Sequence, residues 1–213
     1  MIVEDLGQMA YRQAWQLQEQ AYEDVAAGGE RRLLLVEHPP VITFGRRPGG
    51  EQHLRSSEAG LAEMGVELVQ SDRGGDITFH GPGQIVAYPI VRLADHRLSI
   101  SGYVRRLEKV AIDTLAAFEL VGQRDAAAPG VWVNDGSGLA KICAVGVRIR
   151  RGVTLHGIAL NVQTDLNYFN LIVPCGLADR RVTSMKQLLG DRAPSMPSVQ
   201  AVMIEQFRAA FDA

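Results

Sequence analysis

Apolar residues recur in two rhythms along this chain, one near 3.6 residues and one near 2, and their order predicts an architecture. Leu6, Ala10, Ala14, Leu17, Ala21 and Val25 share one face of a first amphipathic helix, which Gly28 and Gly29 stop. Strands are predicted at residues 33–37 and 41–44, broken by Pro39-Pro40, followed by a short helix at 57–64 and strands at 66–70, 77–80 and 85–91. Tyr103, Leu107, Val110, Thr114, Phe118 and Val121 mark one face of a long helix. Residues 131–134, 139–150 and 153–163 then read as a meander turning at Asp135-Gly136 and Arg151-Gly152. An apolar strand runs into Val173, and helices near 184–189 and 199–211 close the sequence. No helix separates the later strands, so the predicted class is α+β with antiparallel pairing, not a doubly wound parallel sheet.

The last hairpin predicts more than its own existence. With Arg151-Gly152 as a two-residue turn, Arg150 pairs with Val153, which places Gly146 opposite Gly157 and Ala144 opposite Ala159 on one face. Four small residues together leave a trough, suited either to an apolar chain or to a closely packed helix. Strict alternation puts Lys141 on the opposite face from Ala144 and Gly146. A bulge, or a strand that begins after Lys141, is needed to bring its ammonium to the trough.

Composition sharpens the search for chemistry. The net charge of -2, with both signs interspersed, offers no broad basic face to a phosphate backbone, so nucleic acid is not the expected partner. No apolar run is long enough to span a bilayer, and the acidic start at Glu4 and Asp5 is unlike a secretory signal, so the expected location is cytoplasmic. Only three of the 22 basic residues are lysines, and Lys141 alone opens an apolar strand. Lysine, unlike arginine, can give up its proton and act as a base. Of the two cysteines, Cys143 lies inside that strand as a small hydrophobe, whereas Cys175 sits between Pro174 and Gly176 at a turn. A free thiol with pKa of roughly 8.5 needs a basic neighbour to be a nucleophile, and Lys141 is the first candidate, with His80 and His156 behind it. Residues 73–84 hold a short strand between Gly74-Gly75 and Gly81-Pro82-Gly83, a pattern that fits a ligand cradle or two ordinary hairpin turns.

Taken together, residues 37–45, 73–84, 130–133, 141–146, 153–162 and 173–176 resemble the lipoate-biosynthesis octanoyltransferases, also called lipoyl(octanoyl) transferases, in the right order over most of the chain. Departures are small: Phe79 stands where tyrosine is usual, Cys143 where alanine is usual, and Gly152 where tryptophan is frequent. The resemblance implies one catalytic domain over residues 1–213, with a mixed sheet and a smaller sheet flanked by helices, as in biotin and lipoate ligases. It implies transfer of octanoyl, or lipoyl, from acyl carrier protein to a lysine of lipoyl domains in 2-oxoacid dehydrogenases and glycine cleavage H protein. By the same resemblance Cys175 carries the acyl thioester and Lys141 activates it. Arg73, Gly74, Gly75, Asp76, Ile77, Thr78, Phe79, His80, Ala144, Val145, Gly146, Gly157, Ile158 and Ala159 then line the acyl site. Exchange of one thioester for another followed by amide formation runs downhill, so no cofactor, ATP or metal is expected. Three alternatives remain: an ATP-dependent ligase on the same fold, a Cys-His hydrolase, and a non-enzymatic binder of lipoyl domains. The arginines at 148, 150 and 151, with Arg46 and Arg47, are expected to steer an acidic carrier.

Overall fold

The computed structural model describes residues 1–126, 128–173 and 181–212. In chain order the elements are β1 (Ile2–Gln8), α1 (Tyr11–Ala26), β2 (Arg32–Glu37), β3 (Val41–Phe44), α2 (Glu58–Glu63), β4 (Glu67–Gln70), β5 (Ile77–His80) and β6 (Gln84–Ile90). Then come α3 (Ile100–Ala116), β7 (Gln123–Asp125), β8 (Ala128–Asn134), β9 (Leu139–Arg150), β10 (Val153–Asn161), β11 (Arg181–Val182), α4 (Met185–Leu189) and α5 (Met196–Phe211). Two sheets result. The large one has the order β1-β2-β6-β10-β9-β8-β7, with β11 also pairing β9, and the small one the order β4-β3-β5. Pairing is antiparallel except for β1 with β2, β11 with β9 and β3 with β4, so both sheets are mixed, as the resemblance implies, and not purely antiparallel as the apolar pattern alone predicts.

The structure departs from the sequence reading in several places: α3 ends at Ala116, so Phe118 and Val121 lie beyond the predicted helix with Val121 83% exposed, and β1, β7 and β11 are strands that the apolar pattern does not predict. Leu6, expected in the first helix, belongs to β1, which pairs in parallel with β2 and breaks register between Asp5 and Gln8, where Gly7 has φ +58°. Seven residues of mixed polarity at a sheet edge carry neither rhythm clearly, and pairing supplies what the pattern lacks. The strand expected before Cys175 is instead a 3-10 turn, Leu166–Leu171, with a single bridge from Ile172 to Leu54.

Apolar residues on one face of the large sheet pack against α3 and α5, where Tyr103, Leu107, Phe207 and Phe211 are buried with Val131, Ile142 and Leu160. On the other face Ala14, Ala21, Tyr22 and Val25 of α1 meet Val86, Tyr88, Leu155 and Ala159. The small sheet has its own core of Ile42, Phe44, Ile77 and Phe79, and reaches α1 through Val41, Val69 and Tyr11.

The predicted register of the β9–β10 hairpin is observed: Arg150 pairs Val153, Gly146 pairs Gly157 and Ala144 pairs Ala159. Arg151 and Gly152 both take left-handed conformations, φ +49° and +80°, which is the two-residue turn whose twist matches the strands. Gly157, however, does not contribute to a trough by lacking a side chain over the sheet face. His156 before it has φ +57°, and a Cβ on Gly157 would lie 2.1 Å from the carbonyl oxygen of Ala87 on β6. Gly157 is there to let two strands approach. Gly157→Val is therefore expected to lower stability by roughly 1–3 kcal/mol by overpacking. An unchanged urea midpoint would contradict this.

Candidate active site

The two sheets meet where Gly74 donates its N–H to the carbonyl oxygen of Val147, 2.9 Å away. Glycine is needed on both sides of that meeting. A Cβ on Gly74 would come within 2.9 Å of the Val147 oxygen, and one on Gly146 within 3.2 Å of both the Arg73 side chain and the Gly74 oxygen. Part of the predicted trough is thus filled by the Arg73-Gly74 segment. The remainder is a cavity of about 500 Å³ between the sheets.

This cavity gathers most of the residues that the sequence singled out. Arg73, Gly74, Gly75, Asp76, Ile77, Thr78 and His80 line it from the small-sheet side, and Ala144, Val145, Gly146, Gly157, Ile158 and Ala159 from the large sheet. Phe79 is the exception. It turns into the small sheet's core, stacked on Tyr168 with ring centres 4.7 Å apart and edge-on to Phe169 at 5.5 Å, because alternation along β5 sends it away from the cavity. Tyr11, Arg47, Val86, Tyr88, Val104, Ala128, Pro129 and Val147 also line the cavity and were not anticipated. Tyr11 and Tyr88 were legible only as aromatic positions on elements already assigned to the core.

Lys141 reaches the same cavity through a bulge. Val131 pairs Cys143 but Trp132 pairs Lys141, so Ile142 is one residue more than β8 can match. Ile142 and Cys143 both face the α3 and α5 core, which restarts the alternation and returns Lys141 to the face of Ala144 and Gly146. Its stem passes over Gly130, where a Cβ would lie 3.3 Å from Lys141 Cε, and its ammonium sits 4.7 Å from the Trp132 ring centre. Gly130 is held by its N–H donating to the buried Glu108 carboxylate, 3.0 Å away, which Arg124 also binds. The backbone of Lys141 pairs with Val182, and its carbonyl oxygen accepts the N–H of Thr183 at 2.9 Å.

Cys143 is fully buried, and that burial pushes its thiol up to about 12. It is an inert core residue. Cys175 lies outside the described residues. The chain is anchored on both sides of it, by Val173 N–H to the His53 carbonyl oxygen at 2.7 Å and by the β11 pairing with Ala140 and Lys141.

The polar floor is built from neutral rings. His38 Nδ1 is 2.7 Å from the Met9 carbonyl oxygen and must donate to it, so Nε2 accepts from the Tyr88 hydroxyl at 2.8 Å. His80 Nδ1 lies 2.7 Å from Gln84 Oε1, whose amide in turn donates to Asn161 at 2.8 Å. Burial lowers His38 to about 4 and, with the nearby His38 and Arg73 charges, His80 to about 3. His156 also is held below its usual range by burial, only partly offset by Asp72, whose carboxylate is 2.6 Å from Nε2. Arg73 is buried with its guanidinium against Thr43, donating to the Thr43 carbonyl oxygen at 2.7 Å. Asp76 accepts the N–H of Ile77 at 2.7 Å and places its other oxygen 2.9 Å from His53 Nδ1. The expected steering cluster is partly committed within the protein: Arg148 pairs with Asp72, and Arg150 with Glu19 at 2.5 Å while covering the Tyr22 ring. Arg46, Arg47 and Arg151 remain exposed.

A small-residue cavity between a large and a small mixed sheet, with a lysine turned into it by a bulge, belongs to a fold of the biotin and lipoate ligase type. The chain belongs to the lipoyl protein ligase A/B catalytic domain family, whose model matches residues 10–208. It is 49% identical to an octanoyltransferase of Chloroflexus aurantiacus over 99% of this chain and 94% of that one. It is 45% identical to an octanoyltransferase of Nitratidesulfovibrio vulgaris over the same shares. Among solved structures, a lipoate-protein ligase A bound with ATP superposes with a TM-score of 0.81 at 17% identity, covering 99% of this chain and 85% of that one. A biotin protein ligase from Aquifex aeolicus in complex with biotin and ATP gives 0.58 at 12% identity, covering 99% and 70%. These likenesses establish the fold.

The neutral histidines set a pH dependence. Unfolded, both His38 and His80 protonate below about 6.5, whereas the folded protein resists protonation down to about 4 and about 3. The unfolded state then binds more protons in that interval, so the stability is fully present above pH 6.5 and is lost as pH falls toward 4 and 3. The melting temperature should decline through this window, and more gently in His38→Gln. An equal slope in that variant would show that other groups control acid unfolding.

Proposed function

We propose that this chain is an octanoyltransferase of lipoate biosynthesis, moving an octanoyl or lipoyl group from acyl carrier protein to a lysine of a lipoyl domain. The observation that carries the reading is the bulge at Ile142, which turns Lys141 into a cavity lined by Ala144, Gly146 and Ala159. Cys175 is the nucleophile. Its thiol gives a proton to Lys141, and the thiolate adds to the carrier thioester carbonyl. The carbon–sulfur bond to the carrier breaks, and the Lys141 ammonium returns the proton to the departing carrier thiolate. In the second half, the amino group of the acceptor lysine attacks the carbonyl of the Cys175 thioester, Lys141 removes its surplus proton, the carbon–sulfur bond to Cys175 breaks to leave the amide, and the Lys141 ammonium returns the proton to the departing Cys175 thiolate. Arg73 to Thr78, His80, Ala144 to Gly146 and Gly157 to Ala159 hold the acyl chain.

Several features support this reading over an ATP-dependent ligase. The octanoyltransferase relatives share 45–49% of their residues with the chain, the ligase structures 16–18%, and the proposed thioester exchange needs no energy source. No described helix is long and apolar enough to cross a membrane. The acceptors are taken to be lipoyl domains of 2-oxoacid dehydrogenases and glycine cleavage H protein, met in the cytoplasm, and residues 1–213 are taken as one catalytic domain.

Intact-mass measurement after mixing with octanoyl carrier protein tests the assignment. Wild type should gain one octanoyl group, Cys175→Ser none, and Cys143→Ala as much as wild type. Lys141→Arg should acylate at least about a hundredfold more slowly, since a guanidinium cannot accept a proton at neutral pH. Acylation of Cys175→Ser, or an undiminished rate in Lys141→Arg, would overturn the roles. Dependence of product on ATP would favour the ligase.

A further inference from the structure

Lys141 is held by more than the bulge that turns it. Trp132 and Lys141 are direct partners across β8 and β9, so their side chains share a face of the large sheet. The lysine ammonium lies over the indole, with Nζ 4.7 Å from the ring centre. The indole is 1% exposed, and its orientation is fixed by its N–H, which donates at 3.1 Å to the carbonyl oxygen of Ala128, itself part of the cavity wall. Gly130, two residues before the tryptophan, leaves room for the lysine stem. A Cβ there would stand 3.3 Å from Lys141 Cε, 3.5 Å from Cδ and 2.7 Å from the Cys143 carbonyl oxygen. Groove and ring together make a shelf on which the whole side chain lies.

Such a shelf distinguishes the two protonation states that a base must visit. The face of an aromatic ring carries negative charge density and attracts an ammonium, most strongly where both are withdrawn from water, and it offers a neutral amine far less. When Lys141 takes a proton, the charge that appears on Nζ therefore meets a partner already in place, and nothing has to reorient to receive it. The other two contacts of this kind among the described residues, Arg106 over Phe211 and Arg150 over Tyr22, use arginines, whose charge is permanent. At Trp132 alone the cation is one that can be made and discharged.

Resting on the reading of Lys141 as the base, we propose that Trp132 is its positioning residue, holding the protonated side chain and stabilising the charge formed when Cys175 is deprotonated. Single-turnover acylation by octanoyl carrier protein tests this. Trp132→Leu should acylate about tenfold more slowly than wild type at saturating donor with the KM for the carrier unchanged, and Trp132→Phe, which keeps an aromatic face, should recover most of the loss. An undiminished rate in Trp132→Leu, or an equal loss in both variants, overturns the role, the equal loss assigning it to packing. A second readout needs only the wild-type fold. The chain has three lysines, and reductive methylation with isotope-labelled formaldehyde gives each a methyl signal by nuclear magnetic resonance, with Lys141→Arg identifying that of Lys141. Lys109 and Lys186 are exposed on helices, whereas the Lys141 signal should be displaced upfield by the indole ring current and should lose that displacement in Trp132→Leu. A wild-type Lys141 signal that coincides with the other two overturns the shelf, whether or not the variants fold. Acylation of Lys141→Arg at the wild-type rate would instead refute the base reading, and the methyl signal then decides independently whether Trp132 holds the ammonium.

Discussion

The site depends on a backbone hydrogen bond between two sheets that otherwise have separate cores, from Gly74 N–H to the Val147 carbonyl oxygen. Any side chain at Gly74 or Gly146 would hold the sheets apart, and the space between them would open to solvent. With the glycines in place, the small sheet closes over β9 and β10, and the cavity becomes the volume that the two sheets cannot fill. The glycine segment is thus less a cradle that wraps a ligand than a hinge point fixing the height of a roof. Its arginine serves the same end, since the Arg73 guanidinium is satisfied by Thr43 on the neighbouring strand of the small sheet.

That roof explains why the histidines stay neutral. His38, His80 and His156 lie within a group of aromatic rings that includes Tyr11 and Tyr88, with Trp15 beside His156. Each ring has at least one nitrogen bound to a fixed partner, so the hydrogen bonds persist without charge. Imidazoles held so far below neutral pH are poor proton acceptors there.

The sequence was most informative where geometry is periodic. Hairpin register followed from Arg151-Gly152, and with it the juxtaposition of Ala144 with Ala159 and of Gly146 with Gly157. The need for a bulge at Lys141 could be stated from alternation, but not its position, since Ile142 and Cys143 are both apolar and either face would accept them. Leu6 was misplaced because an edge strand reads ambiguously. Phe79 was assigned to the site by resemblance, whereas the pleat of β5 directs it to Tyr168. Gly157 carried a meaning that no pattern reveals, the approach of a carbonyl oxygen from a strand 70 residues earlier, Ala87 on β6. The ion pairs of Arg148 and Arg150 were hidden for the same reason: their partners are distant in sequence.

The order of the large sheet has a consequence for how this chain behaves among its own copies. A sheet edge with free backbone groups is a template for pairing with another molecule. Here the two outermost strands are poor templates. β1 carries Glu4 and Asp5 and is broken at Gly7, whose left-handed backbone interrupts the row of donors and acceptors. β7 at the opposite edge is three residues long and charged at Arg124 and Asp125. β9 and β10, whose Ala144 and Ala159 line the cavity, lie inside the large sheet, so that apolar lining is kept away from the edges through which large sheets aggregate.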